Sequence, residues 1–152
     1  MKSPGDLRKD YPSERPCGLW GKGMADPIVG KFLSATVHVS DHERARKFYS
    51  ETLGFKLVDK NEQLKFTMFE AGGLSFGTHV PWEGDTGRGI GGVTGLIFQT
   101  EDIAKAFEEL KARGVRIGEE PSKRDSLGVI MGTFYDPDDN EFVVWQPLPQ
   151  PE

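Results

Sequence analysis

The sequence holds a single cysteine, Cys17, so the chain closes no internal disulfide and demands no oxidising compartment. No apolar run approaches the roughly 20 residues that a helix needs to cross a bilayer. The N-terminus also lacks the basic-then-apolar pattern of a secretory leader, so a cytoplasmic protein is the expectation. A basic face is missing too. With 19 Lys+Arg against 24 Asp+Glu, the formal net charge is -5, the wrong sign for a chain whose partner is nucleic acid. Basic residues sit beside acids, as in Glu43-Arg44 and in Lys111 and Arg113 after Glu108-Glu109. We read these as solvated helix faces. Neither nucleic acid nor a membrane is an expected partner.

What is present is enough for one domain with a real core: 152 residues, 36% hydrophobic and 28% charged. Residues 1–30 carry Pro4, Pro12, Pro16 and Pro27 with no hydrophobic period, which predicts a poorly ordered extension. Cys17 has no visible base or helix N-terminus to activate it, so it reads as incidental.

From Phe32 to Val58 the chain reads strand, helix, glycine stop, strand, and the same plan returns from Val93 to Ile117. In the first copy Leu33, Ala35, Val37 and Val39 alternate with Ser34, Thr36 and His38. Ser40 or Asp41 caps the helix, with Glu43 placed as a capping box requires. Ala45, Phe48, Tyr49 and Leu53 recur at helical spacing, and Gly54 ends the run. In the second copy Ile103, Ala106, Phe107 and Leu110 form the stripe and Gly114 the stop. Two further short strands follow each unit, so the fold class is α+β: two tandem βαβββ modules whose curled mixed sheets pair around a concave cavity, helices outside. The boundaries expected are module one 31–80, a glycine-rich linker 81–92 and module two 93–148, together one domain over 31–148, followed by a tail, 149–152.

These residues resemble the vicinal oxygen chelate superfamily, the group of glyoxalase, bleomycin-resistance protein and extradiol dioxygenase. FYSETLGF (48–55) and FYDPDDN (134–140) carry the resemblance, which covers about residues 31–147. It implies a divalent metal held by four ligands, two from each module. The matching positions here are Ser34, a residue near Phe76 with a one-residue uncertainty in register, Gly95 and Val143. None is an imidazole or carboxylate, so no metal and no cofactor is expected at that site. Of the three histidines, His42 should meet solvent in the first helical turn. His38 with His79 or Glu141 is the best relocated ligand set.

Strand parity instead predicts a pocket. Its lining is Phe32, Ser34, Thr36, His38, Phe76, Gly95, Ile97, Gln99, Val143 and Trp145, with Leu74, Thr78 and Glu141 on the same faces. Trp145 offers a stacking surface for a flat or cationic ligand. Trp82, in the linker, is a lid or a cover for the core edge. The resemblance points to a small organic molecule bound without metal, with antibiotic sequestration in clefts of a homodimer as the nearest analogue. The alternatives are a glyoxalase-, epimerase- or dioxygenase-type enzyme, with His38 and Glu141 as acid-base candidates, and an accessory module with no small ligand. No reaction is assigned from sequence.

Overall fold

The computed structural model describes residues 32–85 and 89–149. The extension 1–30, with Cys17 and Trp20, and all of the tail but Pro149 lie outside the described residues. Among the described residues eight strands and two α-helices follow in the order β1 (Ala35–His38), α1 (His42–Lys47), β2 (Lys56–Asn61), β3 (Phe66–Ala71), β4 (Leu74–His79), β5 (Gly92–Gln99), α2 (Ile103–Ala112), β6 (Arg116–Arg124), β7 (Val129–Tyr135) and β8 (Asn140–Pro147). They form two four-stranded mixed sheets, ordered β1-β4-β3-β2 and β5-β8-β7-β6. In each sheet the first and last strands of the module run parallel and the rest antiparallel. This is the two-module α+β plan that the repeat predicts.

The helices start and stop where local chemistry directs. Asp41 and Asp102 are the N-caps, accepting from Arg44 N at 2.7 Å and Lys105 N at 3.0 Å. Ser40 is thereby released, and its hydroxyl donates to Asp138 instead. Helix α1 widens into a π-turn over Phe48–Thr52, where Ser50 Oγ donates to Arg46 O at 2.7 Å. Gly54 and Gly114 then take φ of +78° and +75°, the left-handed conformation a helix stop requires.

Each helix buries its stripe on one face of its own sheet. Tyr49 is wholly buried and meets Phe69, Phe76 and also Phe142 of the second sheet, at ring-centroid distances of 5.7, 4.9 and 6.2 Å. Phe55 meets Phe98 at 5.5 Å. The modules therefore share a ring cluster drawn from their helix-bearing faces. The opposite face of the second sheet stays open, with Val93 and Ile97 69% and 49% exposed. On module two the close approach of helix to sheet depends on Gly132. A Cβ there would lie 2.6 Å from Phe107 Cζ.

Two surface expectations change. The ring of His42 folds inward, where Nε2 lies 2.7 Å from Thr67 Oγ1 and the residue is buried. Its position in the first turn faces β3 rather than solvent, and Thr67 satisfies the ring. Arg44 and Arg113 do not merely solvate helix faces. Arg44 Nη2 reaches Asp138 Oδ1 at 2.7 Å, and Arg113 Nη1 donates to Thr52 O at 2.7 Å, so each ties one module to the other.

Candidate functional site

The open face of module two is built on β8. Glu141, Val143 and Trp145 stand on it, flanked by Tyr135, Thr133 and Met131 from β7 and by Val93, Ile97 and Gln99 from β5. Tyr135 Oη donates to Glu141 Oε2 at 2.6 Å, and the Arg116 guanidinium lies 4.1 Å over the Tyr135 ring. The bond to Glu141, with burial, pushes the Tyr135 pKa up, so the phenol stays a donor. An oriented carboxylate thus sits beside the apolar Val143 and Trp145.

Strand β5 does not pair evenly along this face. Its register shifts between Val93 and Ile97, and Gly95 within the bulge has φ +72°. Thr94 Oγ1 braces the bulge by donating to Glu141 O at 2.6 Å and accepting from Leu96 N at 3.1 Å. A metal-binding side chain at position 95 would be strained by the backbone itself.

On module one the open face carries Thr36 and His38 from β1. Their partners across the parallel pair are Gly77 and His79. Phe76 faces the other way. It pairs with Ala35 and Phe69, is 3% exposed, and packs under Tyr49. Leu74 and Thr78 share that parity, so this strand presents Ser75, Gly77 and His79 to the open side. The two-residue turn at Gly72-Gly73 pairs Ala71 with Leu74 and fixes this register. Phe32, ahead of β1, is 73% exposed.

These placements test the metal that the fold family implies. With Phe76 turned to the core, the four positions become Ser34, Ser75, Gly95 and Val143. They supply no nitrogen or carboxylate, and the set does not fit a divalent ion. The acid-base candidates take separate partners: Glu141 is held by Tyr135, and His38 Nε2 is 3.9 Å from Asp85 Oδ2.

A cleft also opens between the modules, with a volume of about 650 Å³. Phe55, Leu74, Phe76, Leu96, Phe98 and Leu110 provide most of its apolar wall, while Gln99, Thr100, Glu109 and Arg113 supply polar groups. Of the residues expected on the pocket faces, Leu74, Phe76, Ile97 and Gln99 border this cleft. The contributions of α2 to it, and of Tyr135 and Asp85 to the open faces, were not read from sequence. Register reveals Tyr135 opposite Glu141, but nothing local marks Arg113 or Asp85.

Two βαβββ modules, each a four-stranded mixed sheet with one α-helix, define the class of fold. The sequence model of the Glyoxalase/Bleomycin resistance protein/Dioxygenase superfamily matches residues 31–144, and the chain belongs to that superfamily. A solved superfamily member from Sphaerobacter thermophilus DSM 20745 is 32% identical, with a TM-score of 0.67, over 78% of this chain and 99% of that one. TnmS3, an antibiotic binding protein from Streptomyces sp. CB03234, is 26% identical with a TM-score of 0.64, over 80% of this chain and 99% of its own. The lactoylglutathione lyase GLX1 of Arabidopsis thaliana is 27% identical over 134 residues, 80% of this chain but 46% of that protein. Among the described residues no helix is long and apolar enough to cross a membrane.

Proposed function

We propose that this chain binds a small organic molecule without a metal at the superfamily's four positions, and that two copies pair so that their open faces enclose it. Antibiotic sequestration in the cytoplasm is the activity it would most resemble. The reading is carried by the half-finished wall on module two. Val93 and Ile97 are large, apolar and 69% and 49% exposed beside Val143 and Trp145, a surface that a single chain leaves wet. A second copy related by a twofold axis would cover it. The pre-oriented Glu141 and the net charge of -5 favour a cationic, flat ligand. The antibiotic binding activity of TnmS3 supports the ligand class. An enzyme of glyoxalase type, which the Arabidopsis lyase favours, would need donor groups that Ser34, Ser75, Gly95 and Val143 do not supply.

A second reading places the ligand in the cleft between the modules, because about 650 Å³ falls within the range of roughly 300–1,000 Å³ usual for small-molecule sites. Thermal unfolding across a panel of cationic aromatic antibiotics and neutral metabolites tests both. A compound at a hundredfold excess over its Kd should stabilise the chain by about 2.7 kcal/mol. Val143→Arg abolishes the shift if the ligand lies on the open face, and Leu110→Trp abolishes it if the cleft is the site. A panel with no shift overturns the binding function.

A further inference from the structure

His38 and His79 are direct partners across the parallel β1–β4 pair, so both imidazoles leave the same helix-free face. Their ring centroids lie 5.7 Å apart. After β4 the chain turns back, with Asp85 N donating to Trp82 O at 3.0 Å. The turn carries Asp85 Oδ2 to 3.9 Å from His38 Nε2. One donor atom from each of His38, His79 and Asp85 lies within 4.8 Å of the other two.

A second observation points to an ion. His79 is only 7% exposed, and its Nε2 has no hydrogen-bond partner. A buried polar atom left unmade costs about 1–3 kcal/mol, and folded proteins rarely leave one. The Trp82 ring packs edge-on at 4.3 Å and Phe66 lies at 6.4 Å, so aromatic rings wall the imidazole on these sides.

We propose that His38, His79 and Asp85 form a site for a divalent transition-metal ion of the imidazole-preferring kind, such as Zn2+, with a fourth position left for water or ligand. Two imidazoles and one carboxylate select such ions over Mg2+ and Ca2+, which take oxygen ligands. Zinc bonds of about 2.0–2.2 Å in a tetrahedron set donors roughly 3.4 Å apart. Spacings from 3.9 to within 4.8 Å need closure of about an ångström when the ion binds. The site shares no residue with Ser34, Ser75, Gly95 and Val143. It stands apart from the ligand reading above, and either can fail alone.

Full-length protein stripped with a chelator and titrated calorimetrically with Zn2+ should take up one ion per chain in the micromolar range or tighter. His38→Ala and Asp85→Asn, both at partly exposed side chains, should each weaken binding about tenfold or more. Zn2+ should raise the unfolding temperature of the wild type but not of His38→Ala. Tryptophan emission should change on titration, and Trp82→Phe should remove that change while one ion still binds. Absence of stoichiometric uptake overturns the site. So does unaltered affinity in both variants, or displacement of Zn2+ by an equal concentration of Mg2+.

Discussion

Tyr49 Oη donates to Asp136 Oδ2 at 2.5 Å, a buried bond that spans 87 residues and joins the helix of module one to the β7–β8 turn of module two. Asp136 also accepts from Asp138 N at 2.8 Å, Asn140 N at 2.9 Å and Asn140 Nδ2 at 2.8 Å. Asn140 Nδ2 donates onward to His38 O at 2.9 Å. The two phrases that mark the superfamily in the sequence, FYSETLGF and FYDPDDN, are thus physical partners. One supplies the hydroxyl, and the other folds a carboxylate turn to receive it.

Tyr49→Phe keeps the ring in the shared cluster and removes only this bond. Asp136 retains three donors, so the loss should fall at the lower part of the roughly 1.5–3 kcal/mol usual for a bond to a charged group. Urea unfolding should show a lower midpoint with an unchanged slope. A midpoint equal to that of the wild type would mean that the bond contributes nothing net to the junction.

The same hydroxyl predicts an alkaline signature. Burial first, and then the charge of Asp136, hold the Tyr49 pKa well above its ordinary value of 10.0. Below about pH 10 the phenol is protonated in both folded and unfolded chains, and its contribution is constant. Above that pH the unfolded chain releases the proton while the folded chain retains it, so stability falls as pH rises. The difference in stability between wild type and Tyr49→Phe should therefore shrink from about pH 10 upward. A difference that stays constant through pH 11 would contradict the raised pKa.

Arg44 and Asp138 form another link between the modules, at 2.7 Å, with the arginine side chain 49% exposed and the carboxylate 5% exposed. Removing the cation leaves a nearly buried charge with Ser40 as its remaining side-chain donor. Complete burial of both partners would put the cost at about 3–5 kcal/mol. Exposure of Arg44 reduces it, and we expect about 1 kcal/mol for Arg44→Ala. The loss should diminish in about 1 M salt, where exposed charges are screened.

Periodicity made much of the fold legible. Val37 in β1 and Val39 just past it, Tyr49 in the first stripe and Phe107 in the second are buried as their spacing predicts, because one side of each element has to leave water. The open faces were less readable. Leu74, Phe76 and Thr78 alternate with Ser75, Gly77 and His79, and either set can be the inner one until the turn at Gly72-Gly73 fixes the register. The links made by Arg44 and Arg113, and the approach of Asp85 to His38, join residues far apart in the sequence or on irregular backbone. No local pattern encodes such contacts.

Helix-to-sheet packing on module two should be intolerant of one added methyl. The Cβ of Gly132→Ala would fall 2.6 Å from Phe107 Cζ and 2.7 Å from Glu119 O. Phe107 is 2% exposed and has little room to retreat, and a backbone oxygen has less. Overpacking of this kind costs about 1–3 kcal/mol. Adding Phe107→Leu should restore only part of the loss, since the contact with Glu119 remains. Full restoration would place all the strain on the ring.

Pairing of two chains is tested most directly at Ile97. Its side chain is 49% exposed on β5, so Ile97→Arg buries no charge within a single chain and should shift the chain's own stability by no more than about 0.5 kcal/mol. A twofold interface would meet the same substitution from both copies, and if it covers this face each guanidinium loses water without gaining a carboxylate. Light scattering should then report two chains for the wild type and one for the variant. A ligand held between the paired faces should lose its stabilising effect in the variant, because the wall it rests on is completed by the partner. A wild-type chain that is monomeric at micromolar concentration would remove the paired-face reading and leave the cleft between the modules as the place for a ligand.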